Sequence, residues 1–156
     1  MHRLIVALIA LTFTLSAAAY EFPPQDPNVQ KYFAIACEYN ECKDLRAPMV
    51  VFKDTGRALG YYYFGTDVVF ITLDCATSPV ADETKCAAVL IHEMTHYIQS
   101  KVHGVNENCA SEEIAWDVYN AYVMDKGRLD LVRENWREAY PRCAKSQNTS
   151  TSSVTQ

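Results

Sequence analysis

The run His92-Glu93-Met94-Thr95-His96 holds the residues whose types and spacing could do chemistry. On a helix, an i, i+4 pair of imidazoles stacks on one face, one turn apart. Two neutral imidazole nitrogens held this way are two of the three protein ligands a catalytic zinc needs, with the fourth position left to water. A glutamate beside the first histidine can take a proton from that water, so the run has the outline of a zinc hydrolase site built on Glu93 as general base. Around it, Ala87, Ala88, Val89, Leu90, Ile91, Met94, Tyr97 and Ile98 lie nearly all round the helix, which predicts a buried element. A carboxylate and two imidazoles inside such a helix need a partner, and a cation supplies one.

Three residues compete to be the third ligand. His103 lies one residue beyond the position of the third histidine in metzincins, and Gln99 stands where that pattern has a glycine. Glu112 and Glu113 both fall in the first turns of the next helix. Glu113 has Asp117 one turn later on the same face, whereas Glu112 has Trp116. An aspartate in that place can accept the free imidazole N–H of a zinc-bound histidine and fix its tautomer. The reading is therefore His92, His96 and Glu113 as ligands with Asp117 behind them, and Glu112 as the alternative to Glu113.

With Glu113 and Asp117 added to the first motif, the chain resembles the gluzincins, zinc peptidases marked by His-Glu-x-x-His followed by Glu-x-x-x-Asp on the next helix. The resemblance covers roughly residues 59–125. The small size and short inter-helix loop look most like the single-domain minigluzincins, although the interval from His96 to Glu113 is a little shorter than in larger relatives. The resemblance implies hydrolysis of peptide bonds. It also implies an edge strand, here Gly60, Tyr61, Tyr62, Tyr63 and Phe64, that pairs with extended substrate through its main chain. A second donor to the developing oxyanion is expected, with His103, Tyr119 and Tyr122 as candidates. Two other readings share the metal: a secreted binding or structural protein stapled by zinc, and a zinc amidase acting on non-protein amides.

The elements that must position these residues are legible in outline. Residues 48–53, 59–64 and 68–73 read as strands, the last two joined through Gly65-Thr66-Asp67 as a hairpin. Helices are expected around 29–37, from about 82 to 101 with Gly104 at the exit, over 110–125, and over 129–140 before Pro141. The fold class is α+β: a small antiparallel or mixed three-stranded sheet packed on the buried motif helix, with a C-terminal helical hairpin carrying the glutamate ligand.

Residues 1–19, with Arg3, an apolar stretch and Ala17-Ala18-Ala19, read as a secretory signal peptide. Residues 20–144 are then a single domain, and 145–156, rich in Ser and Thr, a disordered tail. Six cysteines on an exported chain argue for three disulfides. The nearest-neighbour pairing joins Cys37 to Cys42, Cys75 to Cys86 and Cys109 to Cys143. A net charge of −5 without a basic cluster makes nucleic acid and anionic membrane poor partners. The expected protein is a secreted or periplasmic monomer with one Zn²⁺ and a peptide or protein substrate.

Overall fold

The computed structural model describes residues 19–77, 82–106 and 108–144. The expected signal peptide, apart from Ala19, and the expected tail lie outside the described residues. The fold is α+β, with a four-stranded mixed sheet in the order β1-β2-β4-β3. β2 (Met49–Lys53) and β4 (Val68–Thr72) pair in parallel, Val50 facing Val69 and Phe52 facing Ile71. β3 (Gly60–Tyr62) pairs antiparallel with β4 through the expected hairpin and forms one edge. Tyr63 and Phe64 leave the ladder for the turn, where Thr66 N–H donates to the Tyr63 carbonyl at 3.1 Å. β3 is thus shorter than the residues 59–64 expected for it.

The fourth strand, β1 (Tyr20–Phe22), pairs antiparallel with β2 at the other edge. Pro23 and Pro24 cut it short. Phe22 reaches Phe52 edge-on, with ring centroids 5.3 Å apart.

One face of the sheet, with Val50, Val69 and Ile71 buried, packs on the motif helix α3 (Glu83–His103). Before it come α1 (Pro27–Glu38) and the short α2 (Asp74–Thr77). α1 covers α3 from the other side, with Val29, Phe33 and Ala36 in the core and Phe33 against Tyr97. Asp82 caps α3 by accepting from Lys85 N–H, and Gly104 closes it at φ 62°, a left-handed conformation that suits glycine. Asn108 and Ser111 form a reciprocal capping box at the start of α4 (Cys109–Asp125), which packs along α3.

The C-terminal helix expected over 129–140 is instead a broken strap: a 3-10 turn at Leu129–Leu131, then α5 (Trp136–Ala139) and α6 (Pro141–Ala144). Between the turn and α5, the Arg133 backbone bonds the Asn120 side chain on α4: its N–H donates to Oδ1 at 2.7 Å and its carbonyl accepts from Nδ2 at 3.3 Å. Those backbone groups are no longer available to a helix. Leu131 and Trp136 anchor the strap by burial. The three disulfides join Cys37–Cys42, Cys75–Cys86 and Cys109–Cys143. Cys109–Cys143 therefore ties the strap, rather than the end of a second long helix, to the first residue of α4.

Candidate metal centre

α3 brings the imidazoles of His92 and His96 together, their Nε2 atoms 3.2 Å apart. The carboxylate facing them from α4 is Glu112. Its Oε1 lies 3.5 Å from His96 Nε2 and its Oε2 3.7 Å from His92 Nε2. The side chains of His92, His96 and Glu112 are only 6, 10 and 3% exposed. Two ligand atoms about 2.0–2.2 Å from a common centre at tetrahedral angles stand roughly 3.3–3.6 Å apart. The three observed separations bracket that spacing. Glu112 Oε2 is buried without a hydrogen bond, a costly state that a cation between the three side chains relieves. This buried His-His-Glu group could hold a metal ion.

Glu113, the expected ligand, points away. It is exposed and ion-paired with Arg137 of α5. Asp117 is exposed as well and stands behind neither histidine. The reason lies in the helix stripe: Ala115, Val118, Tyr119, Tyr122 and Val123 form the buried face of α4, and Glu112 shares it. Neighbouring helical residues diverge by about 100°, so Glu113 turns toward the strap.

The orienting role expected of Asp117 falls to Gln99, one turn beyond His96. Gln99 Nε2 donates to the Ser111 carbonyl at 3.2 Å, which directs Oε1 to His96 Nδ1 at 3.1 Å. His96 then carries its proton on Nδ1 and presents a lone pair at Nε2. His92 is steadied by packing, its ring 4.5 Å from that of Trp116. Burial, with the neighbouring His96, holds its pKa well below the ordinary value. For His96, burial alone would act the same way, but the hydrogen bond to Glu112 and the charges of Glu93 and Glu112 outweigh it and raise its pKa. A neutral His92 is ready to ligate, and His96 gives up its proton when a metal binds.

Glu93 is buried beside the histidines and close to the edge strand. A Cβ on Gly60 would fall 3.0 Å from Glu93 Cγ, 2.9 Å from Val89 Cγ1 and 3.0 Å from Ile71 Cδ1. Only glycine lets β3 come this near the motif helix. Two clefts meet here. One, of about 400 Å³, runs along Tyr61, Tyr62, Tyr63 and Phe64 and reaches His96 and Glu112. The other, of about 920 Å³, is lined by Arg57, Val89, Trp116, Tyr119 and the strap. Gly60, His92, Glu93 and Tyr140 line both. The five expected edge-strand residues therefore do flank the site. Tyr61, however, stacks on Phe70 across the hairpin, and Tyr62 Oη donates to the Thr66 carbonyl and shares a hydrogen bond with the Ser100 hydroxyl on α3.

Of the expected oxyanion donors, His103 and Tyr122 line neither cleft, and Tyr119 lines only the larger one. Gln99, Trp116 and Tyr140 went unread in the sequence. For Gln99 the available signal was an amide at i+3 from a ligand; for Trp116 it was an aromatic at i+4 from Glu112. Tyr140 left no local signal. No family model, curated protein or solved structure matches this chain. Among the described residues no helix is long and apolar enough to cross a membrane, and the three disulfides fit an oxidising compartment.

Proposed function

We propose that this chain is an exported zinc peptidase of the gluzincin kind, with His92, His96 and Glu112 as its metal ligands and Glu93 as general base. The observation that carries the reading is the meeting of three buried ligand side chains with a buried glutamate at the junction of two open clefts. Two imidazoles and one carboxylate are the donor set of hydrolytic zinc sites that keep a position open. When bound, the ion acidifies a water molecule and polarises the substrate carbonyl.

The protein's own groups do the rest. Glu93 accepts a proton as the water oxygen bonds to the carbonyl carbon, then hands it to the amide nitrogen as the C–N bond breaks. Gln99 and Trp116 keep the imidazoles aimed. β3, at the edge of the sheet and held close by Gly60, offers its main chain to an extended peptide lying across both clefts.

The test is metal content together with cleavage of an internally quenched peptide library by disulfide-intact protein. About one zinc per chain is expected, with cleavage abolished and zinc retained in Glu93→Gln. Wild-type protein with no zinc, or Glu93→Gln with full activity, overturns the reading.

A further inference from the structure

A peptide that adds to β3 must pair with main-chain groups that β4 has not already taken, and the ladder fixes which those are. In an antiparallel pair, residues that bond across alternate with residues whose N–H and C=O point away. Thr72 N–H donates to the Leu59 carbonyl at 2.8 Å, so Leu59 bonds β4, and with it Tyr61, opposite Phe70. Gly60 and Tyr62 therefore turn their N–H and C=O groups to the free edge, and both line the smaller cleft. Beyond Tyr62 the edge ends, because the Tyr63 carbonyl accepts from Thr66 N–H in the turn.

Two pairing positions on a three-residue strand with a single neighbour are a weak platform unless something holds them. The inward face of the same two residues, toward α3, supplies the hold. At Gly60 the strand lies against Val89 and Glu93. At the other end the Tyr62 hydroxyl is a hub. It donates to the Thr66 carbonyl at 3.0 Å, accepts from Gly65 N–H at 3.2 Å and shares a hydrogen bond of 3.0 Å with the Ser100 hydroxyl. Ser100 stands one helical turn beyond His96 on α3. Lys101 also pairs with Asp67 of the turn at 2.6 Å, but that link is exposed and adds little. The Tyr62 hydroxyl thus ties the end of the edge strand, its turn and the helix of the two histidines at one point.

We infer that Tyr62 is a positioning residue for substrate: through Ser100 and the turn, its hydroxyl fixes where the free edge at Gly60 and Tyr62 stands relative to His92, Glu93 and His96. This rests on the hydrolytic reading above. Main-chain bonds to Tyr62 lie on the order of 7 Å along the strand from those to Gly60, which sits beside the base. They hold a part of the peptide that takes no part in bond breaking, and they are made alike before and during the reaction. An edge ordered in advance spares the peptide the cost of ordering it, so the hydroxyl acts on binding rather than on turnover.

Tyr62→Phe keeps the ring and removes the hydroxyl, and Ser100→Ala removes its partner on α3. With the best-cleaved library peptide, Tyr62→Phe should raise KM about tenfold, with kcat within about twofold of wild type and zinc retained. Ser100→Ala should act in the same direction by less, and the combined variant should be no worse than Tyr62→Phe alone. Trimming the peptide one residue at a time from either end should reach a length at which wild type and Tyr62→Phe share one kcat/KM, the residue opposite Tyr62 being gone. In zinc-loaded Glu93→Gln, the bound peptide should slow amide exchange at Gly60 and Tyr62 and leave Tyr61, already bonded to β4, unchanged. An unchanged KM in Tyr62→Phe, or an equal loss at every peptide length, overturns the positioning role. Absence of slowing at both Gly60 and Tyr62 overturns the edge pairing. If Tyr62→Phe fails to fold, Ser100→Ala and the amide exchange still decide. Wild-type protein that cleaves nothing removes the hydrolytic reading and this assignment with it, whereas cleavage indifferent to peptide length removes this assignment alone.

Discussion

The motif helix and the C-terminal strap hold the site from opposite sides by different means. α3 is held by what surrounds it: sheet on one side, α1 and α4 on the others, with an unbroken buried run from Ala87 to Thr95. The strap has only Leu131, Trp136 and Cys143 buried among its described side chains. Beyond those anchors it is kept in place by discrete links to α4: Asn120 to the Arg133 backbone, Glu113 to Arg137, and Cys109 to Cys143. An element embedded on all sides withstands the loss of any single contact. A strap with few buried side chains leans more on each such link.

The sharpest way to break this comparison is to exchange the roles of two adjacent glutamates. Glu112→Ala should lower zinc affinity by at least about 100-fold, because two histidines cannot complete the site. Glu113→Ala should leave zinc within about threefold of wild type and act instead on the strap, as a lower kcat. Asp117→Ala should do neither. Chelator-competition titrations with zinc read the first effect and steady-state kinetics the second. Zinc loss from Glu113→Ala would return the ligand role to that residue.

A smaller effect is expected from the interior side. Gly60→Ala inserts a methyl group against Val89, Glu93 and Ile71, and crowding of this sort in a packed region costs about 1–3 kcal/mol. Urea unfolding should show that loss, and kcat should fall with zinc retained, since the displaced group includes Glu93, the proposed general base. Smallest is Asn120→Ala, which removes two partly exposed hydrogen bonds worth about 1 kcal/mol together. Its mark should be faster proteolysis within the strap rather than a shift of metal affinity.

How much of this was legible follows the same division. The motif helix could be read because its pattern and caps agree: the apolar run, Asp82 before it and Gly104 after it each give the same bounds within two residues. The hairpin and the Cys37–Cys42 and Cys75–Cys86 pairings were legible for the same reason, local signals that do not conflict, and Cys109–Cys143 followed as the remaining pair. The Glu113-Asp117 spacing does not say which glutamate faces the histidines; the stripe of Ala115, Tyr119 and Val123 does, placing Glu112 inward at i+3, i+7 and i+11. Burial sets which side of a helix faces a neighbour, and a spacing motif does not. The strap looked helical because its residues favour helix. Its conformation is set by Asn120, distant in sequence, which claims the backbone of Arg133. β1 and Tyr140 depend likewise on partners far along the chain.

The order of the three disulfides along the chain has a consequence for how the molecule is made. Cys37 pairs with Cys42, Cys75 with Cys86, and Cys109 with Cys143, so the six cysteines pair consecutively along the chain, and no bridge encloses or crosses another. Of the fifteen ways to pair six cysteines, this is the one in which pairing each cysteine as the chain emerges, N-terminus first, with the one still unpaired before it gives the final set. Oxidation can therefore keep pace with synthesis: each loop is sealed before the next pair arrives, and no bond already formed has to be reopened.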